Sequence, residues 1–144
     1  MYKKILVPID GSESSLKALR HALALARTHS STITVLSVIE ELKLPFAAEY
    51  TLWANESHNK LIRSTLESLN IEINRIREQD SDLDVDAEIK EGVPAKVIVQ
   101  TAVDENYDLI VIGKRGMGVL EELVMGNIAR KVVDLSKVPV TIIP

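Results

Sequence analysis

The sequence predicts a doubly wound α/β fold, in which a five-stranded parallel sheet carries helices on both faces. Strand-like apolar runs alternate with helix-like stripes in the order β-α-β-α-β-α-β-α-β, which is typical of parallel sheets with crossover helices. Two of the runs, Ile5 to Ile9 and Asp108 to Ile112, are apolar almost throughout, as strands buried on both faces are. Placing these two strands in the centre predicts the strand order 3-2-1-4-5.

The first half of the chain predicts two strands and two helices. Strand one ends at Asp10, and Ser12 is placed to cap a helix that continues to His29. Thr32 to Ile39 predicts the second strand. The following segment is less regular, so the second helix is expected to begin only at about Asn59. Its apolar stripe consists of Ile62, Leu66, Leu69, Ile73 and Ile76.

The second half completes the alternation. Asp84 to Lys90 alternates like a half-buried strand. Pro94 opens a third helix that ends near Glu105, since proline is tolerated in a first helical turn. The last helix has Gly126 near its start, and Val138 to Ile143 predicts the final strand. The apolar face of that helix is expected to contain Val124, Ile128, Val132 and Leu135.

Length and composition restrict the class of protein. At 144 residues the chain is expected to form one domain over residues 1–144. The formal net charge of −4 argues against nucleic acid as a partner. The sequence has no cysteine and no apolar stretch near the roughly 18 residues that a membrane span requires. We therefore expect a cytoplasmic protein without a membrane partner.

Three of the six glycines lie just beyond the fourth strand, in the pattern Gly-x2-Gly-x9-Gly. They are Gly113, Gly116 and Gly126. Such a loop lets backbone N–H groups approach phosphate oxygens, and the helix that follows adds its positive end. Lys114 and Arg115 are placed to offset phosphate charge. The alternative is that these glycines only permit sharp turns after a buried strand.

The predicted topology brings a carboxylate to the same place as the glycines. Ligands of doubly wound sheets bind beyond the carboxyl ends of the strands, where the strand order reverses. Strands one and four flank this point, so Asp10 and the glycine loop are expected to face each other there. The alternative for Asp10 is a carboxylate that forms the turn or caps the helix.

No catalytic residue and no metal site is expected. The three histidines, His21, His29 and His58, lack the paired spacing of metal ligands. No Ser, His and Asp set lies on strand-to-helix turns as an acyl-transfer enzyme would require. Binding is therefore favoured over catalysis, with slow hydrolysis of a bound nucleotide as the enzymatic alternative.

Three of the five aromatic residues fall between Glu40 and Glu56. They are Phe46, Tyr50 and Trp53. Aromatic residues in a connection suggest a lid over a ligand or a surface for a partner. The alternative is that they cover the edge of the core.

The sequence resembles the universal stress protein family over its whole length. The resemblance is carried by the opening Lys4 to Ser12, the fourth strand Asp108 to Gly113 and the closing segment Pro139 to Ile143. In family members that bind ATP the motif is Gly-x2-Gly-x9-Gly-Ser/Thr. All three glycines match, whereas Asn127 replaces the hydroxyl residue.

The resemblance implies a small stress-response protein that binds ATP, ADP or AMP, with Mg²⁺ accompanying the nucleotide. It also implies a regulatory homodimer formed through Val138 to Ile143, and it places Asp10 at the ribose or adenine end of the nucleotide. The implied base pocket consists of Pro8, Ile9 and Val38. The implied phosphate positions are Gly116, Gly126 and Asn127. The full set of implied nucleotide-binding residues is Pro8, Ile9, Asp10, Val38, Ile112, Gly113, Arg115, Gly116, Gly126, Asn127 and Ile128.

Asn127 keeps alternatives open. Its amide can donate a hydrogen bond, but the side chain is longer than that of serine, so the choice among ATP, ADP and AMP is not decided. A dimeric interaction module that has lost nucleotide binding also remains an interpretation of the sequence.

Overall fold

Strands and helices alternate along the chain as the sequence predicts. A computed structural model describes residues 1–40, 48–116 and 125–144, with side chains 48–51 excepted. The elements are β1 (Lys4–Pro8), α1 (Glu13–His29), β2 (Thr32–Ile39), α2 (Ala48–Gln79), β3 (Asp84–Glu91), α3 (Pro94–Asp104), β4 (Leu109–Gly113), α4 (Asn127–Leu135) and β5 (Val140–Ile143).

The strands form one parallel sheet of order β3-β2-β1-β4-β5. β1 and β4 are central, and Ile5 of β1 lies opposite Leu109 of β4. All residues of β4 are buried. The predicted order is therefore confirmed, and so is its premise that the two most apolar strands occupy the middle of the sheet.

Helices cover both faces of the sheet, which confirms the predicted fold class. Successive side chains of a strand point to opposite faces, so β1 contributes to two cores. Ile5 and Val7 pack with residues of α1 and α2, whereas Leu6 packs with residues of α3 and α4. The carboxyl ends of β1 and β4 therefore lie between the two layers of helices.

The start of α2 differs from the prediction. The helix begins at Ala48, about three turns before Asn59. Its first part shows no apolar stripe, since Leu52 and Trp53 are 65% and 64% exposed. This part contacts the fold instead through the small, buried Ala54 and through His58, whose Nε2 lies 3.0 Å from Glu91 Oε1 of β3. The predicted stripe is buried only in its second part, at Leu69, Ile73 and Ile76. An amphipathic pattern reports packing rather than helix length. In the described residues, no helix has the length and hydropathy to cross a membrane.

The aromatic residues of this region do not sit as the sequence suggested. Tyr50 and Trp53 belong to α2 rather than to a connection. The exposure of Trp53 contradicts the interpretation that it covers the core edge. Phe46 lies outside the described residues.

The last strand begins later than expected, whereas the last helix begins at Asn127, next to Gly126, as expected. Val138 is not part of β5, because the Ser136 hydroxyl donates to the Val138 carbonyl and accepts from the Val138 N–H in a tight turn. In α4 the buried residues are Ala129 and Val132. Ile128 and Leu135 of the predicted apolar face are partly exposed. Val124 lies outside the described residues.

Asp108 joins the beginnings of the two central strands. Its Oδ2 accepts hydrogen bonds from the backbone N–H groups of Lys3 at 2.8 Å and Lys4 at 2.9 Å. These two hydrogen bonds stabilise the carboxylate and lower the pKa of Asp108, and the bond from the Lys4 N–H has the larger effect. The bond ties the amino end of β1 to that of β4, opposite the edge where the glycine loop lies.

Candidate functional site

A cavity of about 540 Å³ opens at the carboxyl ends of β1 and β4, where the strand order reverses. Its size falls within the range of about 300–1,000 Å³ usual for small-molecule sites. The structure brings every residue of the implied nucleotide-binding set to this one cavity. The lining includes Pro8, Ile9, Asp10, Val38, Ile112, Gly113, Arg115, Gly116, Gly126, Asn127 and Ile128.

The lining combines three kinds of side chain. Aliphatic groups predominate and come from both central strands, from β2 and from α3. Two carboxylates, Asp10 and Glu40, and two cations, Arg115 and Lys131, complete it. A mainly apolar wall with a few polar groups is typical of a site that holds a flat apolar ligand and fixes its orientation.

Asp10 links the end of β1 to the glycine loop. Its Oδ1 accepts a hydrogen bond from the Ser12 N–H at 2.9 Å, so Asp10 does form the turn before α1. Its Oδ2 lies against Gly116, where an added Cβ would come within 2.7 Å of that oxygen. The missing side chain at Gly116 therefore leaves room for the carboxylate, and the turn-forming role does not keep Asp10 out of the cavity.

Gly113 serves a different purpose from Gly116. A Cβ at Gly113 would lie 2.6 Å from Ser14 Oγ and 2.7 Å from the Ser14 carbonyl carbon and oxygen. The first turn of α1 thus rests directly on the end of β4. The Ser14 hydroxyl also accepts a hydrogen bond from the Arg115 N–H at 3.3 Å. Among the described glycines, positive φ angles occur at Gly11 and Gly92, so Gly113 is required for close approach rather than for an unusual backbone angle.

Gly126 closes the loop and begins α4. Its N–H donates to the Lys114 carbonyl at 2.8 Å. A Cβ at this position would lie 3.3 Å from the Arg115 Cα and 3.4 Å from the Gly116 nitrogen. The two ends of the glycine loop therefore touch, and the start of α4 is held at the cavity wall.

Among the described residues, the amino end of α4 lacks the polar cap and the acidic first-turn residue that the amino end of α1 has, so it suits an anion. On α1 the Ser12 hydroxyl accepts from the Ser15 N–H, and Glu13 lies in the first turn. In the described structure α4 has neither a side-chain cap nor an acidic residue in its first turn. Its first N–H groups, which have no partner inside a helix, are thus left without a side-chain acceptor. A negatively charged ligand in the cavity would supply one.

The two cations of the lining form no ion pair with any described residue. Seven ion pairs occur among the described residues, and none of them involves a residue that lines the cavity. Arg115 and Lys131 thus present their charge to the cavity. No group of three or more described His, Cys, Asp or Glu side chains could hold a metal ion, and His58 is paired with Glu91 at 3.0 Å.

Several lining residues were missed by reasoning from the sequence. They are Ser15, Leu36, Glu40, Val93, Pro94, Ala95, Ile98, Ala129 and Lys131. The start of α3 could have been found from topology, because every helix that follows a strand in a parallel sheet begins at the carboxyl edge. Lys131 could have been found from helix periodicity, since it lies four residues after Asn127 and hence on the same face.

Comparison with known proteins gives a consistent result. The model of the universal stress protein family matches residues 1–144. Universal stress protein YxiE of Bacillus subtilis is 32% identical over 147 residues, which cover 99% of this chain and 99% of that protein.

Solved structures share the fold. Universal stress protein UspA from Lactobacillus plantarum superposes with a TM-score of 0.89 at 24% identity, covering 99% of this chain and 98% of that one. A universal stress protein family protein from Arabidopsis thaliana with AMP bound superposes with a TM-score of 0.65 at 22% identity, covering 98% and 90%.

Proposed function

Because the chain belongs to the universal stress protein family, we propose that it binds an adenine nucleotide in the cavity at the ends of β1 and β4. The observation that carries the proposal is the composition of that cavity. It combines an apolar wall, two unpaired cations and the uncapped start of α4. The AMP in the Arabidopsis relative supports it, because that protein has the same fold.

The proposal assigns each part of the nucleotide to a chemically matching part of the lining. The adenine packs on the aliphatic wall that includes Ile9 and Val38, where leaving water favours binding. The Asp10 carboxylate accepts hydrogen bonds from the ribose hydroxyls or the adenine amino group. The phosphate oxygens accept hydrogen bonds from the first N–H groups of α4 and from the Arg115 guanidinium. Hydrogen bonds to charged groups of this kind contribute about 1.5–3 kcal/mol each.

Mg²⁺ would enter with the nucleotide. This ion is usually held by one or two carboxylates together with the phosphates of the ligand, and it keeps several of its waters. Asp10 and Glu40 are the carboxylates that line the cavity. Their number fits an ion that belongs to the nucleotide rather than to a separate protein site.

In this proposal the protein acts by binding a nucleotide rather than by catalysis. It is a stress-response regulator, and its choice of partner depends on which nucleotide is bound. A ligand changes such a preference only when its affinity differs between the two states of the protein. A cytoplasmic location, where adenine nucleotides are available, goes with this role.

The nucleotide proposal has a direct test. The purified protein is denatured and any released nucleotide is identified by mass spectrometry, and the nucleotide-free protein is then titrated with ATP, AMP and adenosine by calorimetry. We expect adenine nucleotide to be released or to bind. Absence of both would support an interaction module without nucleotide, whereas multiple turnover of ATP to a defined product would support the ATPase.

Gly126→Val is the variant that links binding to the cavity. Even a Cβ at this position would lie 3.3 Å from the Arg115 Cα, so the two valine methyl groups must enter the loop or the phosphate region. We expect a folded variant that no longer binds ATP. Unchanged ATP affinity in a folded variant would contradict the assignment of the site.

We also propose a homodimer formed through β5. This strand pairs with β4 on one side only, where Ile110 N–H donates to the Pro139 carbonyl and Lys114 N–H to the Ile143 carbonyl. All its side chains are partly exposed. An apolar strand at a sheet edge offers unpaired backbone groups to a second copy. Light scattering at micromolar concentration should give the dimer mass, and a monomer mass would refute the proposal.

A further inference from the structure

Lys131 lines the cavity at a position from which its ammonium group can contact the phosphates of a bound nucleotide. It belongs to the second turn of α4, four residues after Asn127, and both residues line the cavity. Lys131 and the preceding Arg130 are both exposed, but Arg130 does not line the cavity. Two adjacent cations on one helix thus differ in their access to the site.

The direction of helical side chains brings Lys131 back over the start of α4. Cα–Cβ bonds in a helix tilt toward its amino end. Four residues correspond to about 6 Å along the axis, a distance that an extended lysine side chain can span. The ammonium group of Lys131 can therefore reach an anion that the first N–H groups of α4 hold.

The ammonium group of Lys131 forms no ion pair with a described carboxylate. Among the described residues the Lys131 side chain has no hydrogen bond and no ion pair, whereas Arg20, Arg27 and Arg75 are each paired with a carboxylate. Arg115, which lines the same cavity from the loop after β4, also forms no ion pair with a described residue. Two cations from separate elements thus line the cavity that includes the start of α4.

We propose that Lys131 determines specificity for nucleoside di- and triphosphates over AMP and adenosine. The inference rests on the proposed function and deepens it. Each phosphate beyond the first adds negative charge that needs a balancing cation, and Asn127 at the start of α4 is uncharged. Lys131 supplies that cation from one turn further along the same helix.

The test compares Lys131→Gln with Arg130→Gln, which removes the same charge from the neighbouring position. Titration calorimetry with ATP, ADP, AMP and adenosine is carried out on the full chain. Lys131→Gln should weaken ATP binding about two- to fivefold, as expected for one partly screened charge contact, and adenosine binding not at all. Arg130→Gln should leave all four affinities almost unchanged. Lys131→Gln should also reduce the dependence of ATP affinity on salt.

Equal effects of the two variants on ATP, or equal weakening of adenosine by Lys131→Gln, would overturn the role of Lys131 while leaving nucleotide binding intact. Sodium tripolyphosphate serves as a ligand without a base. If the wild-type protein binds no adenine compound but binds tripolyphosphate in a manner that Lys131→Gln weakens, the proposed function fails and the phosphate role of Lys131 stands. If it binds neither, both are refuted.

Discussion

Alanine at Gly113 and alanine at Gly116 should have opposite consequences, although the two substitutions are chemically identical. At Gly113 the new Cβ would lie 2.6–2.7 Å from atoms of Ser14, about 1 Å closer than nonbonded heavy atoms prefer. Two of these atoms are backbone atoms in the first turn of α1, so the clash is relieved only if the helix moves away from β4. Overpacking of this kind costs about 1–3 kcal/mol. For a chain of this length the melting temperature should fall by roughly 2–10 °C.

At Gly116 the described atoms that the new Cβ would meet belong to the Asp10 side chain, with Oδ2 at 2.7 Å. This oxygen is the end of a side chain, which can rotate. The rotation gives up the hydrogen bond from the Ser12 N–H to this carboxylate, a bond of a kind that contributes about 1.5–3 kcal/mol. The carboxylate, however, leaves its place at the glycine loop. Adenosine, which has no phosphate, should therefore lose about tenfold in affinity, the equivalent of one hydrogen bond to a charged group.

Thermal unfolding followed by circular dichroism and adenosine titration by calorimetry separate the two effects. Each variant is the control for the other, because both introduce one methyl group into the same loop. A melting temperature of Gly113→Ala equal to that of the wild type would show that α1 does not rest on β4 as described. Undiminished adenosine affinity in Gly116→Ala would remove Asp10 from the proposed ribose or adenine contact.

Three further predictions concern other parts of the molecule. Asp108→Asn should lower the melting temperature at neutral pH. Because the pKa of Asp108 is lowered in the folded state, its carboxylate stabilises the protein above the unfolded-state pKa, and this stabilisation is lost as pH falls through the folded-state pKa. The difference in melting temperature should therefore shrink in acid, and a difference independent of pH would contradict this. Asn127→Ser restores the motif hydroxyl and should tighten ATP binding, and calorimetry showing no change would remove that reasoning. Trp53 is exposed and does not line the cavity, so its fluorescence should not change with ATP; a blue shift would support a lid.

The sequence was sufficient for the order of the sheet because burial leaves a strong mark on composition. Strands such as β1 and β4, covered on both faces, must be apolar along their whole length. The start of α2 carried no such mark. Around Trp53 the helix contacts the fold through the small Ala54 and the polar His58, so no run of large apolar residues marks its buried face.

The sequence also indicated much of the candidate site, since glycines and a carboxylate at the ends of predicted central strands converge by topology. What it left open was the purpose of each glycine. Gly113 accommodates the first turn of α1, Gly116 accommodates the Asp10 carboxylate, and Gly126 closes the loop onto Lys114. These roles depend on distances between segments far apart in the chain, which local patterns do not encode.

By itself, then, the sequence determined the α/β class, the strand order and the family to which the protein belongs, because alternation, burial and motif spacing are local properties of the chain. Only the tertiary structure decided which contact requires each glycine of the loop, and that Lys131 lines the cavity while Arg130 does not. The physical reason is that access to a cavity is set by how whole elements pack. Two neighbouring cations that look alike in the sequence point in different directions once their helix has been placed.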